Sequence, residues 1–276
     1  MKHILIESDN LIALKQLFAE YVGAIDVIPI DPPYNTHIDY IGYKDGDYSD
    51  GWIEFMRPRL EITYKLLSKN GVMFIHIDES ELVNLLGLCG DIFGSSNLMT
   101  MIWKKTNNRF DKNRKEKPLE CGIRRTHEYI VVCFKDKKNT TLKPILQPVW
   151  NGTNYVEVLK PLETVVDDMG TTASAKDELS EILGKREIFS TPKPVKMIKE
   201  FIRAASDKNS IVLDFFAGSG TTGHAVMELN CEDGGSRKFI LITNDESNIC
   251  QKVTLPRLEK VIKMQKYNAE IDFRKL

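Results

Sequence analysis

One segment limits the architecture more than any other. A short apolar run, Ser210 to Phe216, passes into Ala217-Gly218-Ser219-Gly220 and at once into a run with helical apolar spacing, Thr221 to Leu229. A continuous apolar run of this length reads as a strand buried on both faces. A helix that starts directly after it must cross back over the sheet, which requires parallel strands covered by helices. Glycines at such a turn permit positive φ and let a ligand approach the backbone.

The same alternation recurs earlier in the chain. His3 to Ser8 predicts a strand, Asp9 to Tyr21 a helix capped by Asp9, and Ile25 to Asp31 a second buried strand. A polar loop rich in glycine and tyrosine, 32–51, leads to a helix over Trp52 to Leu67 and a strand over Gly71 to Asp78. Glu128 to Phe134 predicts a further strand, Pro194 to Ser206 a helix and Lys238 to Thr243 another strand. Periodicity is poor between Asp78 and Glu128 and again from Lys135 to about Ser190, so these stretches read as insertions. The fold class expected is α/β, a mostly parallel sheet covered on both faces and interrupted by insertion-like parts. With 42% hydrophobic and 28% charged residues, the composition excludes collagen-like, coiled-coil and disordered chains. No stretch approaches the roughly 20 apolar residues of a membrane span, and a cytoplasmic protein is expected. The five cysteines never form a CxxC pair, which speaks against a disulfide framework or a structural zinc.

Two loops carry chemistry. At the first, Asp214 stands where the strand ends, and the lysine of a phosphate-clamping loop is missing. A carboxylate there repels a phosphate and attracts an ammonium, which points to S-adenosylmethionine rather than NAD or ATP. The second is Asp31-Pro32-Pro33-Tyr34, also at a strand end. Consecutive prolines fix φ and remove two amide donors, so the loop is stiff and displays carbonyls and two side chains. An exocyclic amine on a nucleobase is a poor nucleophile, because its lone pair is delocalised into the ring. Asp31 and the Pro32 carbonyl suit acceptors that draw such an amine towards tetrahedral geometry, and Tyr34 offers a face for a base taken out of its stack.

On these motifs the chain resembles the S-adenosylmethionine-dependent amino-methylating DNA methyltransferases. The resemblance implies a Rossmann-like methyltransferase sheet with a target-recognition insertion. The DPPY form is typical of family members acting on the 6-amino group of adenine. Asp31 to Tyr34 precedes Asp214 by 180 positions, the order of the circularly permuted β class. The runs DPPYNT, KKTNN, RRTHEYIVV, TPKPVKMI and DFFAGSGTTGHAV look most like modification subunits of type III restriction systems and their stand-alone relatives. The activity implied is site-specific methylation of a flipped-out adenine. Methylation of the cytosine 4-amino group or of an RNA base, and an inactive DNA-binding relative, are the alternatives.

Carried over residue by residue, the resemblance assigns Asp31, Pro32, Pro33 and Tyr34 to catalysis. Asp9 and Asn10 match the element near the cofactor adenine, and Lys193 with Pro194 the element beside the methionine moiety. Asp214, Phe216, Gly218, Gly220 and Thr221 match the cofactor loop. Many relatives place an acidic residue for the ribose after the strand that ends here in Thr243. Asn244 and Glu246 are the candidates in this chain, Glu246 the first choice.

The catalytic domain is expected over 1–103 and 191–276 together with the strand 128–134, and a DNA target-recognition region over 104–190. Lys104 to Arg125 holds nine basic against three acidic residues in a chain whose formal charge is −1 overall, the footprint of a polyanion partner. Lys104, Lys105, Lys112 and Lys115 suit phosphates, whereas Asn107, Asn108, Arg109, Arg114, Arg124 and Arg125 have the donor forks that read base edges. The partners implied are double-stranded DNA and a second copy in a homodimer. A restriction subunit is a weaker expectation, since the modification subunits resembled are longer than 276 residues. His76, Asp78, His127, Glu128 and His224 read as structural, no metal site is expected, and Trp52, Phe55 and Tyr64 at helical spacing read as core.

Overall fold

The computed structural model describes residues 1–41, 43–46, 48, 51–106 and 122–276. In chain order the elements are β1 (Lys2–Glu7), α1 (Asn10–Tyr21), β2 (Ile25–Ile30), β3 (Ile38–Tyr40), β4 (Tyr43–Asp45), α2 (Trp52–Leu66), β5 (Leu67–Ile77), α3 (Leu82–Phe93), β6 (Leu98–Trp103) and β7 (Glu128–Phe134). They continue with β8 (Ile145–Trp150), β9 (Tyr155–Lys160), β10 (Val165–Val166), α4 (Thr172–Leu183), α5 (Val195–Ala205), β11 (Ile211–Asp214), α6 (Thr221–Asp233), β12 (Lys238–Thr243), α7 (Leu255–Gln265) and β13 (Glu270–Lys275).

Nine strands form one sheet in the order β10-β6-β7-β5-β2-β11-β12-β1-β13. Its pairs are parallel except β5 with β7 and β6 with β7. The expected strands and helices are therefore present, and the apolar strands lie buried between two hydrophobic layers. One layer packs α5 and α6 against the sheet through Phe201, Ile202 and Val226, and the other packs α1, α2 and α3 through Leu14, Leu60 and Leu88. Covering both faces is what makes the strands continuous apolar runs rather than alternating ones.

The stretches read as insertions hold regular structure that the sequence pattern did not reveal. α3 and β6 fill the gap before the basic segment, and β6 joins the main sheet beside β7. β8 and β9 make a separate antiparallel hairpin, and β10 returns to pair with β6 at the sheet edge. No helix among the described residues is long and apolar enough to cross a membrane.

The topology fixes where a ligand fits. β2 and β11 are neighbours, with Val27 opposite Val212. From this pair the sheet grows in one direction through β5 and in the other through β12, so the strand order reverses between them. The crevice beyond the strand ends at such a reversal is where open α/β sheets bind ligands. Residues 31–34 and 214–220, far apart in sequence, leave the sheet side by side at this point.

Candidate active site

A cleft of about 390 Å³ opens at the reversal, lined from one side by Asp31 and Pro33 and from the other by Asp214 to Ser219. Asp9, Asn10, Lys193, Asn244 and Glu246 also line it.

On the β11 side the chain turns at once after Asp214. Gly220 N donates to Ala217 O at 2.7 Å, and Gly218 takes φ +48°. A Cβ on Gly218 would stand 3.2 Å from Phe189 Cζ, so a larger residue would crowd the aromatic wall. The loop is braced from behind by α7 and the π-helical turn before it. Thr254 Oγ1 donates to Gly218 O at 2.6 Å, and the fully buried Arg257 donates to Ser219 O and Thr221 Oγ1. Gly218, Gly220 and Gly223 stand at the spacing of a dinucleotide fingerprint, so glycine spacing alone does not separate a dinucleotide site from one for S-adenosylmethionine.

The carboxylate is the distinguishing group. Asp214 is 5% exposed and accepts from Phe216 N at 3.0 Å and Thr222 Oγ1 at 2.6 Å. No cation among the described residues pairs with it, and burial pushes it up to about 7 despite those two donors. A buried anion facing a cleft without a counter-ion suits a ligand that brings a positive charge. The ammonium of S-adenosylmethionine fits that requirement, and a phosphate does not.

On the β2 side Trp52 Nε1 donates to Pro33 O at 2.7 Å and clamps the proline loop to α2. Trp52 is buried, as its helical spacing suggests, but its indole serves this loop. Phe55 packs against the core as its spacing suggests and also lines the cleft, 4.9 Å from the Tyr48 ring and 6.2 Å from Phe216. Arg59 stacks over Phe55 at 3.7 Å and donates to Asn10 Oδ1 at 2.6 Å and Asp9 Oδ2 at 3.3 Å. Asp9 Oδ1 meanwhile caps α1 through Leu11 N and Ile12 N.

Asp31, Tyr34, Lys193 and Glu128 converge. Tyr34 Oη lies 2.7 Å from Asp31 Oδ1 and 3.0 Å from Glu128 Oε2, and Lys193 Nζ lies 2.6 Å from Asp31 Oδ2. Burial opposes the charge on Lys193, but Asp31 and Glu128 outweigh it and hold its pKa above the ordinary lysine value. Burial likewise opposes the charge on Glu128, yet Lys193 and Lys105 draw it down to about 2. Lys193, expected beside a methionine moiety, thus sits on the catalytic-loop carboxylate. His76 lines the same cleft and is 1% exposed. Neither of its ring nitrogens has a hydrogen-bond partner among the described residues, and burial lowers it to about 3.

The candidate DNA-contacting residues divide. Lys104 is exposed. Lys105 pairs with Glu128 at 3.2 Å, and Arg125 reaches Glu79 at 2.6 Å and Asp78 at 3.6 Å. Arg124 is half-buried. Asn107, Asn108, Arg109, Lys112, Arg114 and Lys115 lie outside the described residues.

Residues 25–252 match the family described as DNA methylase, which spans both adenine N6 and cytosine N4 methylation. The chain belongs to the DNA methylase family.

Among relatives of this chain, the type III restriction-modification enzyme StyLTI Mod subunit of Salmonella typhimurium is 28% identical, the match covering 89% of this chain and 53% of that protein. The DNA adenine methyltransferase YhdJ of Escherichia coli is 27% identical, over 92% of this chain and 82% of that one. The chain spans between half and three-fifths of the length of the StyLTI, EcoPI and EcoP15I modification subunits. Of solved structures, the M1.HpyAVI–SAM complex superposes with a TM-score of 0.56 at 18% identity, covering 95% of this chain and 99% of that one. TTHA0409 from Thermus thermophilus, complexed with S-adenosyl-L-methionine, reaches a TM-score of 0.58 at 15% identity, covering 98% and 97%. At these identities the structures share the methylase fold.

Proposed function

We propose that this DNA methylase transfers a methyl group from S-adenosylmethionine to the exocyclic 6-amino group of adenine in double-stranded DNA. The observation that carries the reading is the pairing of two unlike carboxylates at adjoining strand ends, Asp214 without a cation and Asp31 with one, across a single cleft. The Asp31 form of the DPPY motif and relatives named as adenine methyltransferases favour adenine over cytosine.

When bound, S-adenosylmethionine supplies a methyl group on a sulfonium. Asp214 would counter its ammonium, the glycine loop would lie along the methionine portion, and Phe216, Phe55 and Tyr48 would face the adenine ring. Asp9, Asn10, Asn244 and Glu246, which line the cleft, would face the nucleoside hydroxyls and amine. Asp31 and the Pro32 carbonyl would accept hydrogen bonds from the substrate amine, orienting its lone pair away from them. The Tyr34 ring would stack on the extruded base.

Residues 104–190 are proposed as the DNA-recognition region, with Lys104 and Arg124 at its described margins. A second copy of the chain and, given relatives that are modification subunits, a restriction subunit are the partners proposed. A DNA substrate and four free cysteines among the described residues, Cys89, Cys133, Cys231 and Cys250, agree with a cytoplasmic setting.

The test is transfer of labelled methyl groups to duplex DNA, followed by digestion and separation of the nucleosides. Label in N6-methyladenine is expected. Label confined to N4-methylcytosine, or to RNA, would overturn the assignment.

A further inference from the structure

Glu128 opens an apolar strand, and such a carboxylate reads from sequence as structural. In the fold it is 7% exposed and completes a closed ring of four side chains from three parts of the chain. Glu128 Oε2 lies 3.0 Å from Tyr34 Oη and 3.4 Å from Lys193 Nζ, while Oε1 lies 3.2 Å from Lys105 Nζ. Lys193 Nζ reaches Asp31 Oδ2 at 2.6 Å and Tyr34 Oη at 3.2 Å, and Tyr34 Oη reaches Asp31 Oδ1 at 2.7 Å.

A simple lysine–aspartate pair would need no second buried carboxylate. Burying another anion is costly unless it is paired, and Glu128 is paired twice, by Lys193 and Lys105. Its place in the ring shows the consequence. Without Glu128 the Lys193 ammonium would have one carboxylate to satisfy it and could lie fully across Asp31. With Glu128 also within reach, the ammonium is shared between the two carboxylates, and its hydrogen bond to Asp31 goes to Oδ2. A carboxylate has about four lone-pair sites. The Lys193 ammonium and the single Tyr34 proton, which lies between Asp31 and Glu128, use at most two on Asp31, which leaves acceptor capacity for an amine.

We propose that Glu128 is a positioning residue for methyl transfer: it shares Lys193 with Asp31 and holds the Tyr34 hydroxyl, so that Asp31 stays oriented and open to the substrate amine. The proposal rests on the reading of the chain as an adenine methyltransferase. The groups facing Asp31 are Lys193, Glu128 and Tyr34, with Asp214 across the cleft and His76 behind Lys193. Burial raises Asp31, Lys193 lowers it and the like charge of Glu128 raises it again. Removing Glu128 or Lys193 therefore moves Asp31 in opposite directions, which a purely structural role would not do.

The experiment compares the wild type with Glu128→Gln, Glu128→Asp and Lys193→Met. It measures S-adenosylmethionine affinity by calorimetry and single-turnover methylation of an adenine-containing duplex across a pH series. Glu128→Gln is expected to bind S-adenosylmethionine as the wild type does and to transfer about 10- to 100-fold more slowly, the range for one hydrogen bond to a charged group. Its acid limb should move to lower pH and that of Lys193→Met to higher pH. Glu128→Asp should recover part of the rate, and it carries the test through its own limb if the Gln variant does not fold. An active wild type with an indifferent Glu128→Gln, an unshifted limb, or a rate loss explained wholly by weaker cofactor binding would overturn the proposal alone. A wild type that methylates no adenine would overturn the functional reading itself.

Discussion

If Asp214 waits for a ligand's ammonium, cofactor binding must be linked to protons. The carboxyl is pushed from the ordinary value of 3.8 up to about 7 by burial, with Asp31 adding to the rise and Thr222 and Phe216 N opposing it. At that value about nine-tenths of the sites are protonated at pH 6 and about half at pH 7, and only the ionised form can pair with an ammonium. S-adenosylmethionine should therefore bind about fivefold more weakly at pH 6 than at pH 7, and each binding event at pH 6 should release about 0.9 proton. Calorimetry in two buffers of different ionisation enthalpy reads both quantities. His76 is lowered to about 3 and stays neutral over this range. The sign for folding follows the same linkage. Because the folded value is raised, the unliganded protein loses stability from this group as pH climbs from about 4 to about 7, by at most about 4 kcal/mol. Asp214→Asn should remove that slope, raise the melting temperature of the unliganded protein above pH 7 and weaken cofactor binding about 10- to 100-fold at pH 7. An affinity unchanged between pH 6 and pH 7, or an Asn variant that binds like the wild type, would refute the reasoning.

Asp31→Ala should abolish methyl transfer while calorimetry still detects S-adenosylmethionine. Tyr34→Ala should slow transfer more than about 100-fold, and Tyr34→Phe by about tenfold, since the phenylalanine keeps the stacking face and loses only the hydroxyl that joins Asp31 and Glu128. Gly218→Val must take a positive φ and place Cβ against Phe189, so its cofactor affinity should fall with little change in the rate at saturation. Lys104→Ala should weaken binding to all duplexes alike and lower the slope of log affinity against log salt by about one. Lys105→Ala, whose ammonium is engaged by Glu128, should leave that slope nearly unchanged and slow transfer instead.

Both loops were legible because each sits at the end of an apolar strand, where sequence pattern and ligand geometry coincide. α3 was not. It is apolar almost throughout, and Gly87 and Gly90 interrupt its helical spacing. β6 follows a Gly-Ser-Ser-Asn turn and exposes Met99 and Thr100, so it lacks the fully apolar signature of β2 or β12. Glu128 and Lys105 were missed for a topological reason. β7 runs antiparallel to β5, with Tyr129 opposite Ile77, so its first residue stands at the edge where the parallel strands end. β6 pairs antiparallel to β7, with Trp103 opposite Glu128, and Lys104 and Lys105 follow at that same edge. One antiparallel strand in a parallel sheet brings a strand-opening carboxylate to the active edge, and only knowledge of the pairing would have found it.

The two carboxylates also explain why an internal lysine belongs in this cleft. Asp31 and Asp214 end neighbouring strands, and left bare both would compete for the positive charge of a ligand. Lys193 neutralises one of them from within, which assigns the ligand's ammonium to Asp214 and leaves Asp31 to accept from a neutral amine. This division separates two roles for Lys193. If the lysine instead held the carboxylate of the methionine moiety, Lys193→Met would remove an attraction and weaken S-adenosylmethionine binding by tenfold or more, about the worth of a charge-assisted hydrogen bond. If it serves Asp31, the variant adds one net negative charge to the cleft, and affinity for the cationic cofactor should hold within about threefold or rise, while transfer slows to a low but measurable rate because the Asp31 side chain loses its anchor. The 2.6 Å contact to Asp31 and the burial of Lys193 between two carboxylates favour the second outcome. A tenfold loss of affinity in Lys193→Met with normal transfer at saturating cofactor would return the lysine to the methionine moiety and leave Asp31 to be held by Tyr34 alone.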